Sequence, residues 1–259
     1  MKPIWTGAIG FGLVNIPVKL YSATRTSNLD LDMLDKADHS KIHFKRINEK
    51  TGKEVQWENI EKGYKLHNNG YVVITDKDFE RANSKKTKII EITNFVDEKE
   101  IESIYYEIPY FLEPDKSGER AYALLRDALR KTQKVGIAAF VMRNKETLAI
   151  IKASDNVIIL NRIRFEEEIK NADELALPAK TDIKGNELKM AVSLIEQLSG
   201  KFNIKHYKDT YTAELMKVIK AKSKGIKLKE PELKVSYSKT KDLMAQLKAS
   251  LNTNHKKAS

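Results

Sequence analysis

Apolar and polar residues alternate along the first twenty positions, but the phase of the alternation changes partway. Trp5, Ile9 and Phe11 are odd-numbered, whereas Val14, Ile16, Val18 and Leu20 are even-numbered. Read as one element, Ile4 to Leu20 is a long β-strand. Its bulge or sharp bend falls at Gly10 and Gly12, where the phase flips near Leu13. Pro17 has no N–H for a ladder and places that half at an edge or a bulge. A strand that bends and changes face suits a barrel wall.

The pattern continues as short strands. Lys41 to Ile47 alternates, with Lys41, His43 and Lys45 on one face and Ile42 and Phe44 on the other. Glu49 to Gly52 reads as a turn, and Glu54 to Trp57 as the returning strand. Tyr64–His67 and Tyr71–Ile74 flank Asn68-Asn69-Gly70, a hairpin signal. Phe79 to Lys88 is polar and basic, a helical turn and loop. Strands follow at Ile89–Val96 and Ile104–Leu112, the second interrupted by Pro109. Gly118 to Thr132 is an amphipathic helix. Its apolar face is Ala121, Leu124, Leu125, Ala128 and Leu129, and Ser117 stands at the N-cap. Val135–Met142, Leu148–Lys152 and Val157–Phe165 are further strands, joined at Asn144-Lys145 and Asp155-Asn156. Many short strands around one helix predict a mixed α+β chain, with an antiparallel β-barrel core and a helical insertion.

After Glu166 the pattern becomes helical. Leu177 to Asp182 reads as a linker. Glu187–Ser199 presents Leu188, Ala191, Val192, Ile195 and Leu198, and Gly200 stops it. Asp209–Lys224 starts on a capping Asp209 and stops at Gly225. Ile226–Tyr237 is extended, basic and broken by Pro231. Thr240–Leu251 is a last amphipathic helix offering Leu243, Met244, Leu247 and Leu251, and Asn252–Ser259 is expected to be disordered.

Charge changes this picture more than overall composition does. Of 259 residues, 47 are Lys or Arg and 36 are Asp or Glu, and the excess is concentrated at one end. From Lys201 onward there are 15 Lys and 5 acids, which leaves the first 200 residues near neutral. A basic appendage on a neutral body fits a polyanion such as nucleic acid, or equally a solvated arm kept soluble by Lys. The chain has no Cys, so disulfides and thiolate metal sites are excluded, and a reducing compartment is expected. No apolar run has membrane-spanning length, and the N-terminus has no signal-peptide core. A cytoplasmic protein is expected.

The chemical motifs fail one by one. Gly7, Gly10 and Gly12 lack dinucleotide-fingerprint spacing, and no helix follows them. Asn28 to Asp38 lacks the oxygen ligands and central glycine of a calcium loop. The five His are scattered and do not form a zinc set. Lys180-Thr181-Asp182-Ile183 has Ile where a nucleotidyl-transfer motif has Gly. Ser236 to Lys239 matches Ser-x-x-Lys only by chance, and Glu166-Glu167-Glu168 reads as a solvated face. No cofactor and no catalytic residue is predicted.

Cations on the strands carry more information. Lys41, His43 and Lys45, with Arg46 following, give one ribbon a positive face, and Lys36 and Lys53 flank it. Arg162 and Arg164 do the same for another strand, and Arg81 and Lys85 precede a third. Such arrays suit phosphate contacts that position a duplex without reading its sequence.

The run from Ile4 to Tyr21 resembles the opening of bacterial Ku proteins, the DNA-end-binding factors of non-homologous end joining. So do Lys62-Gly63-Tyr64, Tyr71 to Asp76, Ile104-Tyr105-Tyr106 with Pro109-Tyr110, Ala121 to Leu129, and Tyr207 to Tyr211. The resemblance implies an intertwined homodimer that closes a ring around double-stranded DNA and threads onto free ends without sequence preference. It also implies recruitment of the multifunctional end-joining DNA ligase, and a cytoplasmic, nucleoid-associated location. On this analogy residues 1–170 are the barrel core, with a DNA-encircling β-bridge at about 36–80. Residues 171–225 are a helical arm. Residues 226–259 are a basic segment holding a ligase-docking helix, whose face is Leu243, Met244, Leu247 and Leu251. Many relatives carry a cysteine pair near Asn48–Gly52 and a long Lys/Pro/Ala-rich tail. This chain has neither, so the resemblance is weakest for tail-mediated binding and translocation.

A rival reading is a non-enzymatic scaffold whose basic C-terminal arm binds an acidic partner or surface. Neutralising Lys41, Lys45 and Arg46 separates the two, because a scaffold tolerates the change and a DNA ring does not. A nuclease or ligase would need an acidic metal cluster or an adenylation lysine, and neither is found.

Overall fold

The phase change at the start of the chain is a turn rather than a bend. In the computed structural model, which describes residues 1–82, 88–178, 183, 185–226 and 243–255, two strands stand where one was expected. They are β1 (Trp5–Phe11) and β2 (Val14–Ser22), paired antiparallel from Phe11↔Val14 to Trp5↔Leu20. Gly12, at φ 58°, and Leu13 form the two-residue connection. In this register odd positions of β1 face even positions of β2, so Ile9 and Ile16 pair and both are buried. The flip in hydrophobic phase is the signature of that hairpin. Pro17 fits because the β2–β6 ladder starts one pair later, at Val18↔Pro114, so its missing N–H falls at the ladder's end.

The next elements are β3 (Lys62–Lys65) and β4 (Tyr71–Ile74), a separate two-stranded sheet closed at Asn68-Asn69-Gly70. Then come α1 (Asp76–Ala82), β5 (Ile89–Asp97), β6 (Tyr106–Pro114), α2 (Glu119–Thr132), β7 (Lys134–Met142), β8 (Lys145–Ser154) and β9 (Val157–Ile163). Seven strands close a barrel in the order β1-β2-β6-β9-β8-β7-β5. All neighbours are antiparallel except the closing seam, where β1 runs parallel to β5 from Ala8↔Ile89 to Gly10↔Glu91. Closure removes the free sheet edges. Inward residues such as Ile9, Leu20, Leu112, Ile151 and Leu160 fill the interior.

Helix α2 covers β8, β2 and β7. It is rotated from the expected face. Tyr122, Leu125 and Leu129 are buried, and Leu124 points outward at 67% exposure. Tyr122 turns in because the barrel supplies partners for its hydroxyl, which donates to the Leu112 carbonyl and accepts from the Ile158 N–H, both at 2.7 Å. Ser117 does not cap the helix. Gly118 takes the N-cap position without a side-chain bond, and a Cβ there would come within 3.1 Å of Pro17.

Residues 41–57 do not form the two regular strands expected. Only isolated bridges join Leu34 to Lys41 and Ile47 to Glu54, with Val55 N–H donating to the Arg46 carbonyl at 2.8 Å. The result is a thin, solvent-exposed ribbon. Between Leu20 and Ile90 no described residue is buried.

The chain divides into two compact units at Asn171/Ala172. The second holds α3 (Gly185–Leu198), α4 (Thr210–Ser223) and α5 (Leu243–His255), with α5 packed against α3. Asp209 caps α4 as expected, its carboxylate accepting the Thr212 N–H at 2.9 Å. Helix α5 runs on to His255, so Asn252 to His255 are helical rather than disordered. The expected linker residues 179–182 and most of the Ile226–Tyr237 stretch lie outside the described residues.

Candidate nucleic-acid interface

The sequence nominated the Lys41, His43, Lys45 face of the ribbon. The structure places these residues together but shows their charges largely answered. Lys41 Nζ is 2.7 Å from Asp32 Oδ1, and Lys45 Nζ is 2.7 Å from Glu54 Oε2. The hydrogen bond to Glu54 pushes the Lys45 ammonium above its ordinary value of 10.5, so it stays charged. Both pairs are exposed, so each is worth little in stability and gives way easily to a phosphate. Lys36 sits in the turn that Asp35 closes, with Asp35 Oδ1 accepting the Ala37 N–H at 2.7 Å. Lys53 lies at the ribbon turn, where its carbonyl accepts the Asn48 N–H at 2.8 Å.

Arg46 is held differently. Its guanidinium carbon lies 4.7 Å from the centroid of the Trp57 ring, a cation–π contact that leaves the positive charge unneutralised. Among the described residues, Arg46, Lys50 and Lys53 form no ion pair. Neither Lys50 nor Trp57 was singled out from sequence. The available signal was a tryptophan at the end of a polar ribbon beside a run of cations. A similar contact sets Lys62 Nζ 4.7 Å from the Phe79 ring.

The remaining cations are dispersed. Arg81, in the last turn of α1, is 3.8 Å from Asp78, and Lys85 lies outside the described residues. Arg162 and Arg164 on or after β9 are bound into the barrel wall. Arg162 Nη2 is 3.0 Å from Glu107 and Arg164 Nη2 is 3.6 Å from the same carboxylate. Arg164 Nη1 also donates to the carbonyls of Ile104 and Tyr106, at 3.1 and 2.8 Å. Among the described residues, buried Arg162 Nε has no hydrogen-bond partner. These two arginines are therefore more committed to the barrel than those of the ribbon.

On α5, Met244, Leu247 and Leu251 are half-buried, on a helix that packs against α3. Among the described residues no group of His, Asp and Glu is arranged to hold a metal ion.

What the arrangement offers is a cationic, solvent-facing ribbon with exposed apolar side chains, carried on a rigid barrel. Comparison with known proteins bears on how it is used. The family described as "Ku70/Ku80 beta-barrel domain" matches residues 10–190. The "Non-homologous end joining protein Ku" of Opitutus terrae is 41% identical over 223 residues, covering 86% of this chain and 80% of that protein. The protein of that name from Archaeoglobus fulgidus is 39% identical over 252 residues, covering 97% of this chain and 98% of its own. The one from Coxiella burnetii is 35% identical over 262 residues, covering 98% and 96%.

Proposed function

Since this chain belongs to the Ku family of non-homologous end-joining proteins, we propose that it binds the ends of double-stranded DNA in break repair, as a homodimeric ring that encircles the duplex. It acts through topology and phosphate neutralisation, without catalysis of its own, and hands ends to the end-joining ligase.

The observation that carries the reading is the stretch between Leu20 and Ile90. Fixing a residue's backbone costs about 1–2 kcal/mol, which a folded segment offsets by burial. This segment buries no described side chain, yet displays Met33, Phe44, Ile47, Trp57, Tyr64 and Tyr71 to solvent. Such a surface is what a second copy and a DNA duplex would cover together. Its excess cations without ion partners point the polar part at phosphate. The ligase would engage the last helix, using whatever part of its Met244, Leu247, Leu251 face is not taken by α3.

The test is topological. Protein is loaded onto linear duplex, the DNA is then closed into a circle, and high salt is applied. A ring stays trapped on the circle but leaves the uncircularised control. A groove binder leaves both.

A further inference from the structure

The two faces of the ribbon are unequal. Val55 donates to the Arg46 carbonyl, so these residues stand opposite one another. Alternation about that pair puts Phe44, Arg46 and Val55 on one face and Lys45, Ile47, Glu54 and Gln56 on the other, and Trp57, which opens a short 3-10 turn, reaches the Arg46 face through its ring. The two side-chain contacts follow this division. Arg46 lies over Trp57, and Lys45 reaches Glu54, each a diagonal neighbour across the ribbon. On the Lys45 face the charge is answered by a carboxylate. On the Arg46 face, among the described residues, it is answered only by a π-system, and Lys53, two pairs nearer the turn, adds a second cation.

We propose that Arg46 and Trp57 act as one composite contact for the deoxyribose–phosphate edge of duplex DNA, with Arg46 taking a phosphate and Trp57 packing on the sugar. The proposal rests on the DNA-binding reading above and names where that reading is realised.

Three observations support it. First, the indole holds the planar guanidinium in place before any ligand arrives, so less rotamer freedom is lost when phosphate bonds form. Second, Trp57 is 71% exposed and Phe44 79%, so beside Arg46 the face still turns apolar ring surface to solvent. The C–H face of a deoxyribose matches that surface, and the adjoining phosphate matches Arg46 and Lys53. Third, these neighbouring cations make a polyanion a better occupant than an apolar protein face. Of the ribbon cations expected from sequence, Arg46 and Lys53 lie on this face, whereas Lys41 and Lys45 are paired with carboxylates.

The chain has two tryptophans, which makes the test direct. Trp5 is half-buried in the barrel, donating to the Val141 carbonyl at 3.2 Å and edge-on to Phe140, so Trp57 is the exposed reporter. Full-length protein is titrated with a blunt linear duplex, following tryptophan emission and, separately, anisotropy of labelled DNA over a range of salt. Wild type should show an emission change that W57F lacks, while W57F keeps near-native affinity. W57A should bind about 2–5-fold more weakly per subunit with little change in salt slope. R46A should lower the slope of log K against log salt by about 0.9 per subunit. The R46A/W57A double variant should lose less than the two single losses combined, because the indole also positions the guanidinium.

Unchanged emission together with native affinity in W57A overturns the proposal. So does a W57A variant that sediments as a smaller species, which assigns Trp57 to the interface between copies. A wild type that binds no linear duplex overturns the underlying reading as well, and is told apart by that.

Discussion

Glu54 holds the Lys45 ammonium at 2.7 Å across the ribbon, so an acid restrains a cation on the face that the sequence nominates for DNA. The pair is exposed and contributes little to folding. Its larger effect is on binding, because a phosphate must displace or coexist with the carboxylate. E54Q should therefore bind linear duplex more tightly than wild type at low salt, with a slope in log salt steeper by up to about 0.9 per subunit. The melting temperature should be nearly unchanged. Weaker binding by E54Q would mean the pair serves to shape the ribbon.

Removing the ribbon's cations is the complementary change. K41A/K45A/R46A should keep native circular dichroism and melting, since all three side chains are exposed. Its salt slope should fall by up to about 2.7 per subunit. Undiminished duplex binding would favour a scaffold that uses the basic C-terminal segment instead.

The barrel's stability should depend on Tyr122. Its hydroxyl joins the Leu112 carbonyl to the Ile158 N–H, and these two residues are register partners on β6 and β9. Y122F leaves both backbone groups buried and short of a partner, at a cost of about 1–3 kcal/mol. For a chain of this size that is a drop in Tm of about 3–10 °C, read by calorimetry. DNA binding at 25 °C should be unaffected.

In the helical unit, Asp209 caps α4. Its hydrogen bond to the Thr212 hydroxyl, then that to the Thr212 N–H, holds the carboxyl below its ordinary value of 3.8. A carboxylate with a depressed folded pKa stabilises above its unfolded value and loses that contribution as pH falls through the folded one. D209A should weaken the cap at neutral pH, seen as roughly fivefold faster amide exchange in the first turn of α4. Wild type and variant should converge once the pH is well below 3.8. A difference that persists in acid would mean the capping hydrogen bonds do not depend on ionisation.

Much of the barrel is legible in the sequence because its strands alternate cleanly between turn residues, as at Asp155-Asn156; the preceding turn falls at Arg143-Asn144, one residue before the expected Asn144-Lys145, because Lys145 already pairs with Met142. The opening hairpin is not, because Gly12-Leu13 lacks the Asn-Gly or Asp-Gly signature and its phase flip imitates a bulge. The facing of α2 fails at Tyr122, since periodicity does not anticipate that a barrel seam will satisfy a phenol. The cations of the site are readable as residues but not as free or paired charges. Asp32 and Lys41, Lys45 and Glu54, and Glu107 and Arg162 meet only through folding. Trp57 carries no motif, and its contact with Arg46 crosses the ribbon and requires its register.

The central claim is recognition of DNA ends by encirclement. The most direct measurement is a competition shift assay in which labelled linear duplex competes with one plasmid, either linearised or intact and supercoiled. The account predicts that the linear plasmid competes in proportion to its ends and that the intact circle competes poorly. Equal competition per base pair by the intact circle would contradict it and leave a general basic DNA binder.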